Sequence, residues 1–312
     1  MKGLRFGTGR VNSGLLAALV LLTPTRALSC SMCRCGDATF NALGTDVFAA
    51  GAFRIAVDWD RMEKSQGSPE ERESEVANTV TATASYAFGD RLNLVARVPY
   101  AFKTITRTGE GTSDVTKTNG VSDPEFFAWI RLWGSDLVSG IGRRAWVSAQ
   151  VGVKTPWGRD GLTGSDGARL DQHAQPGTGS TDVFAGLGGF YLVDATSTVF
   201  GSAQYRWTGT NGYGYRYGRI FLANVGYERK LGQIWDAILE LNYRWAGKDI
   251  VDSSGEEDPD TGGAILYVTP RVLVSLGGGV VARASVLIPT FRNLNGTQTE
   301  NVIVSAGLTY SF

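Results

Sequence analysis

The sequence predicts an all-β fold, a transmembrane antiparallel up-and-down β-barrel of about twelve strands. First, segments of about ten residues alternate apolar and polar side chains, as strands with one apolar face do. Second, these segments recur from residue 53 to the carboxyl end, and short turns alternate with long polar loops between them. Third, outside the amino terminus no apolar run approaches the ~18 residues of a spanning helix. Mean hydropathy is −0.08, which excludes a helical membrane protein.

The last strand shows the alternation most clearly. Over residues 301–312 every second residue is apolar, and the residues between are mostly small or polar: the apolar ones are Val302, Val304, Ala306, Leu308, Tyr310 and Phe312. A soluble sandwich strand can show the same pattern, so the repetition along the chain decides between the two architectures. A closing strand that ends in Phe also resembles the terminal strand of bacterial outer-membrane proteins.

The earlier strands follow the same rule. They are predicted over residues 53–60, 76–88, 92–102, 125–133, 145–154, 182–191, 198–208, 219–228, 237–245, 264–275 and 280–291. Short turns are expected at 89–90, 193–197, 230–233 and 276–279, and long loops at 61–75, 104–121, 155–180, 209–218, 246–262 and 292–300. The link 134–143 is longer than the short turn that is expected at this end of the barrel. Closure leaves no strand edge unpaired, which a bilayer requires.

The amino terminus has the features of a secretory signal. Residues 1–29 contain an early basic stretch, an apolar run over 15–22 and a small-x-small site ending at Ser29. We therefore expect three parts: a signal peptide over 1–29, a periplasmic cysteine-bearing segment over 30–45 and a barrel over 46–312. Export of this kind predicts a location in the bacterial outer membrane.

The three cysteines, Cys30, Cys33 and Cys35, lie together after the predicted cleavage site. One interpretation is a disulfide between Cys30 and Cys33, since the compartment is oxidising. Another is thiolate binding of a soft metal ion, Cu(I) or Zn(II), although a zinc site normally has four ligands. A third is lipidation of Cys30. The sequence predicts no definite cofactor, and the one candidate is a soft metal ion at the cysteine cluster.

Charged residues recur on the predicted inner face of the strands. They are Arg54, Asp58, Arg97, Lys103, Glu125, Arg131, Lys154, Glu240, Arg244, Arg271 and Arg283. One interpretation is an ion-paired network that fills the narrow interior. The other is a constriction that selects small polar or anionic solutes. Bases outnumber acids in this set, which slightly favours anions.

An enzyme is disfavoured because the only histidine, His173, lies in the predicted loop 155–180. Ser165 and Ser180 are nearby, but we expect a solvated loop histidine. The acidic stretch 249–260 fits no EF-hand, so a solvated external loop is favoured over a Ca²⁺ site. The chain has 30 basic and 30 acidic residues, and no basic excess points to nucleic acid.

Several motifs resemble the bacterial outer-membrane transporter family associated with the MetA pathway of phenol degradation. The matching stretches are 98–100, 152–158, 175–182, 239–245, 267–270, 288–289 and 292–298. The Cys-x-x-Cys-x-Cys-Gly-Asp opening resembles a subgroup of this family. Arg271 stands where the resemblance leads us to expect Gly, and Trp157 where a small residue is commoner. The resemblance implies passage of a small solute and no catalytic residues.

The sequence thus predicts a monomeric outer-membrane pore or transporter for small solutes, with the lipid bilayer and the solute as partners. Residues 30–45 are expected at the periplasmic end, where they could enter the lumen as a plug. One alternative is a metal-linked barrel whose cysteine cluster binds Cu or Zn. The other is a filled structural barrel that binds partners through its external loops.

Overall fold

A computed structural model describes residues 51–68, 70–89, 91–109, 111–136, 143–251 and 254–312. The predicted signal peptide, the segment 30–45 and all three cysteines lie outside these ranges. Within them, no helix is both long and apolar enough to cross a membrane.

Strands make up most of the described chain. They are β1 Phe53–Gly67, β2 Arg72–Phe88, β3 Leu92–Gly109, β4 Thr112–Val121, β5 Glu125–Asp136, β6 Arg143–Lys154, β7 Asp182–Asp194, β8 Ser197–Trp207, β9 Ile220–Leu231, β10 Trp235–Ala246, β11 Gly263–Gly277, β12 Val280–Leu294, β13 Thr299–Glu300 and β14 Ile303–Ser311. A single 3₁₀ turn, Gln172–Ala174, lies in the loop between β6 and β7.

The strands form a closed antiparallel ring of twelve, which confirms the predicted fold class. The ring closes because β1 pairs with both β2 and β14. Two short strands, β4 and β13, continue ring positions that β5 and β14 already occupy, so the ring still has twelve strands. β4 continues the line of β5, since β3 pairs with β5 near the short-turn end and with β4 beyond residue 100. β13 likewise pairs with β1 beyond the end of β14.

Two of the predicted loops are strand in the structure. Residues 61–67 belong to β1 and 72–75 to β2, and residues 104–109 and 112–121 form most of a β3–β4 hairpin. The prediction was wrong here because strands that project beyond the bilayer are polar on both faces. Their alternation is then between buried and exposed polar residues, which composition does not reveal. Within the long link predicted at 134–143, β5 continues to Asp136 and β6 begins at Arg143. Residues 137–142 are outside the described ranges.

The outer face of the barrel is apolar and the inner face is polar. On β1, the outward side chains Ile55, Val57 and Trp59 are exposed, whereas the inward Asp58 and Asp60 are buried. The short-turn end, which faces the periplasm in such barrels, carries aromatic rings in contact on the outside. Their centroids are 5.4 Å apart for Phe53–Phe312, 4.3 Å for Tyr310–Phe312 and 4.5 Å for Tyr86–Phe88. This arrangement is typical of an interfacial aromatic girdle.

Candidate functional site

All eleven charged residues predicted for the inner face lie on it. Eight are buried: Asp58, Arg97, Lys103, Glu125, Arg131, Lys154, Glu240 and Arg244. Arg54, Arg271 and Arg283 are partly buried. Because the ring is closed, a strand side chain that is shielded from solvent in this way points into the lumen. Their role in passing a solute stays a prediction.

A row of alternating charges runs across four neighbouring strands. Arg97, Glu125, Lys154 and Asp182 occupy directly opposed positions on β3, β5, β6 and β7. Glu125 accepts from Arg206 at 2.6 Å and lies 3.4 Å from Arg97 Nη1, and Lys154 Nζ lies 3.0 Å from Asp182 Oδ2. Opposed cross-strand charges attract each other, and burial makes loss of one partner costly.

A second ion pair spans a strand at the position of a glycine. Asp58 on β1 and Arg283 on β12 both lie opposite Gly307 on β14. Arg283 Nε donates to Asp58 Oδ1 at 2.6 Å across that position. A Cβ at Gly307 would overlap Asp58 Oδ1 and lie 3.0 Å from Arg283 Nε. The glycine therefore provides the space in which the ion pair forms.

Two further pairs each include a residue of β10. Arg271 Nη2 lies 3.2 Å from Glu240 Oε1, and Arg244 Nη2 donates to Glu300 Oε2 at 2.5 Å. Tyr267 also donates to Glu300. Arg271, which stands where the family resemblance leads us to expect Gly, thus has a charged partner on the adjacent strand.

The basic excess among the eleven predicted residues does not extend to all the buried charges, among which acids outnumber bases. Buried acids missing from the predicted set are Asp60, Glu73, Glu75, Asp123, Asp182, Asp249 and Glu300, and the missing buried bases are Lys64 and Arg206. In the described ranges, ten acids and seven lysines or arginines are buried. Most of the acids were missed because they fall in stretches that were predicted to be loops.

The loop after β6, here called the cross-mouth loop (residues 155–181), folds into the extracellular end of the barrel. Lys103 on β3 donates from Nζ to the carbonyls of His173 and Gln175 at 2.7 and 2.8 Å. Thr118 on β4 donates to the carbonyl of Ala174 at 2.6 Å. The wall therefore holds the loop through its backbone carbonyls.

The same loop reaches the far side of the ring. His173 Nε2 lies 2.8 Å from the hydroxyl of Tyr215, and that hydroxyl donates to Asp249. Asp249 also accepts from the backbone N–H of Gly218 at 2.7 Å. Asp249 follows β10, which is six positions from β3 in the ring of twelve. Opposite walls are therefore connected through His173, across the mouth.

The burial of His173 corrects the expectation of a solvated loop histidine, since its exposed fraction is 1%. Asp249, at 1%, likewise departs from the solvated loop expected for 249–260. His173 Nε2 lies 2.8 Å from the Tyr215 hydroxyl, and Ser180 Oγ donates to Asp182 Oδ1 at 3.0 Å. Sequence alone missed this because loop burial leaves no periodic pattern.

Two separate sequence motifs meet at Lys154. Its Nζ lies 3.1 Å from Asp123 Oδ2 and contacts the hydroxyls of Thr178 and Ser180. The stretches 152–158 and 175–182, which carry the family resemblance, are thus packed together at the start and end of the loop. The sequence feature that indicates this close packing is the glycine at position 179. At Gly179, φ is +68°, and a Cβ would overlap the Asp160 carboxylate.

No group of three or more His, Cys, Asp or Glu in the described ranges could hold a metal ion. The candidate ligands Cys30, Cys33 and Cys35 are outside those ranges, so the metal alternative stays a prediction.

No protein-family profile and no curated protein matches the chain. Among solved structures, it is similar to an outer membrane channel from Pseudomonas putida F1, with a TM-score of 0.64 and 14% identity over 84% of this chain and 96% of that one. It is more distantly similar to the β domain of the Bordetella autotransporter BrkA (TM-score 0.47, 14% identity, 84% and 100% covered). The translocator domain of NalP from Neisseria meningitidis is similar at TM-score 0.47 and 14% identity, with 86% and 91% covered. At 14% identity the likeness to the Pseudomonas putida channel shows the fold, and the chain is an outer-membrane β-barrel.

Proposed function

We propose that this protein is an outer-membrane channel for small solutes whose extracellular mouth is gated by the cross-mouth loop. The observation that carries the proposal is the way this loop is held. The tip of the loop is held to the two walls by side-chain hydrogen bonds, from Lys103 and Thr118 on one side and between His173 and Tyr215 on the other. Backbone hydrogen bonds from the loop to the wall occur at its start, from Thr155 to Pro124 and from Arg159 to Val121. Such contacts can exchange with water when the loop lifts, and the ring itself stays intact.

The interior favours polar rather than bulky apolar solutes. Charged and amide side chains alternate around the wall, and water-filled lumens of this class are polar in the same way. Both signs of charge are buried in the wall, ten acids and seven lysines or arginines, which argues against selection by one sign of charge along the whole path. Selection would then depend on local sites and on the width left by the loop.

A filled structural barrel is the second candidate, and the ion-pair network favours it. Asp58–Arg283, Glu125–Arg206 and Arg244–Glu300 each connect inward side chains at 2.5–2.6 Å. Pairs of this kind occupy space in a narrow lumen and satisfy charges away from bulk water. In this second function, the external loops would carry the binding activity.

Single-channel conductance in a planar bilayer tests the choice. We would compare the mature chain, a form lacking residues 30–45, and a form in which residues 161–176 are replaced by a short Gly–Ser linker. The channel proposal predicts brief openings of the mature chain and long openings of the linker form. A change on removal of 30–45 would assign gating to that segment instead. Silence of all three forms, from protein shown to be folded, would favour the filled barrel.

A further inference from the structure

His173 is the single histidine of the chain, and it lies where the cross-mouth loop meets the far side of the ring. Histidine is the side chain whose ordinary pKa places its change of charge between about pH 5 and pH 8. The residue is buried, so the charge of its ring depends on the groups that pack against it. A change in that charge acts directly on one of the contacts that hold the loop.

The hydrogen bonds around His173 define the neutral form of its ring. The Tyr215 hydroxyl donates its hydrogen to Asp249. His173 Nε2 lies 2.8 Å from that hydroxyl oxygen, so the hydrogen of this second contact belongs to Nε2. The neutral ring is then protonated at Nε2, and a further proton goes to Nδ1. Protonation therefore adds a charge to the ring and leaves its bond to Tyr215 in place.

A carboxylate lies beside this ring. Asp249 Oδ2 is 3.5 Å from His173 Nε2, and the Asp249 side chain is itself buried. A carboxylate at this distance attracts the charged ring, and burial keeps water from screening the attraction. The Tyr217 ring packs edge-on against the imidazole with 5.4 Å between the ring centres, and its phenol is neutral in this pH range. When the loop lifts, His173 and Asp249 separate and both enter water.

Other charged groups contact the segment of the loop that carries His173. On the loop itself, Asp171 Oδ1 accepts from the His173 backbone N–H at 2.8 Å. On β3, Lys103 donates to the His173 carbonyl, and Arg107 is close enough to Asp171 for their charges to interact. These two cations and the Asp171 carboxylate act at the backbone and its neighbour, whereas Asp249 acts at the ring nitrogen. The charge beside the ring therefore favours its protonated form.

We propose that protonation of His173 holds the cross-mouth loop closed, so that the extracellular mouth closes in acid and is released as the pH rises. The inference rests on the proposed gating and deepens it by naming its regulation. The sign follows from the ion pair with Asp249, because the closed state favours the charged ring and the open state leaves it in water. The added stability of the closed state is complete below the ordinary titration point of histidine, roughly pH 6.5, and is lost as the pH rises beyond it.

Single-channel recording of the mature chain between about pH 8.5 and about pH 5.5 tests this inference. The ratio of open to closed time should fall about tenfold or more toward acid, because an opposite charge at this distance changes the proton affinity of a group by at least about tenfold. His173→Gln keeps a donor for the Tyr215 hydroxyl but does not titrate, so its ratio should be independent of pH. Glu256→Gln is the matched control at an exposed acid of the loop that contains Asp249, and it should respond as the wild type does.

A second measurement follows the ring itself and needs no conductance. Because the chain contains one histidine, isotope-labelled histidine reports the protonation of His173 alone by NMR. Asp249→Asn removes the charge beside the ring and retains an acceptor for Tyr215. In this variant the pH at which half of the rings are protonated should fall by about one unit or more. Heat-dependent gel migration checks that each barrel is folded.

The outcomes separate this inference from the channel proposal. A pH response that persists in His173→Gln, a mature chain that opens in acid, or an unchanged midpoint of ring protonation in Asp249→Asn would overturn the inference. Conductance without a pH response would retain the channel and reject the control by His173. A barrel that never conducts, but in which Asp249→Asn lowers the midpoint, would reject the channel and retain the ion pair that holds the loop.

Discussion

Replacement of Lys103 by methionine should open the extracellular mouth more than any other single change to the wall. Methionine has nearly the length of lysine but no donor, so the packing of β3 is retained and the bonds to the His173 and Gln175 carbonyls are lost. Each hydrogen bond from a charged group contributes roughly 1.5–3 kcal/mol, and water satisfies the carbonyls once the loop lifts. Both carbonyls share one ammonium group, so we take about 2 kcal/mol, the contribution of a single such bond, which is roughly a 30-fold change in the ratio of closed to open states.

Dwell times in single-channel recordings measure that ratio directly. Lys117→Met is the matched control, because Lys117 lies on β4 with its side chain on the outer face, opposite in phase to Thr118. Lys103→Met should lengthen the open dwell times or shorten the closed ones by about 30-fold in combination. Unchanged dwell times in a folded Lys103→Met barrel would refute the assignment of the cross-mouth loop as the gate.

Three more predictions concern stability, each measured by urea unfolding of the barrel in lipid vesicles. Gly307→Ala should lower the midpoint by an amount equivalent to about 2 kcal/mol or more, because the new Cβ displaces the Asp58 carboxylate from its arginine; an unchanged midpoint would count against the ion pair. Glu125→Gln should cost about 3–5 kcal/mol, since two arginines then share no carboxylate; a loss under about 1 kcal/mol would show that they are hydrated instead. Hydrogen bonds from Thr196 lower the pKa of the Asp194 carboxyl to about 2, below its ordinary value of 3.8. Its contribution is complete above that ordinary value and is lost as the pH falls toward 2, so the difference between wild type and Asp194→Ala should shrink between pH 5 and pH 2.

The inner face was predictable residue by residue where the strand also has an apolar outer face. On β1, Arg54 and Asp58 were assigned inward because Ile55 and Val57 had to face lipid. Glu75 and Glu300 were missed, although they are as deeply buried as Asp58. They lie where the barrel projects beyond the bilayer, and there no lipid contact requires an apolar outer face.

The candidate gate was not predictable, since nothing in the residues 155–181 distinguishes a buried loop from an exposed one. His173 was the most informative residue of that loop, and its expected state was wrong. Its burial depends on Lys103 and Tyr215, which belong to other parts of the ring.

By itself the sequence determined the architecture: a closed barrel of twelve strands, and the residues that face inward along its membrane-spanning part. The physical reason is local, because a bilayer requires every strand to alternate with a period of two. The tertiary structure alone decided which charges pair and which loop crosses the mouth. Those outcomes depend on ring closure, which brings together residues as far apart in sequence as Asp58 and Arg283, separated by 225 positions.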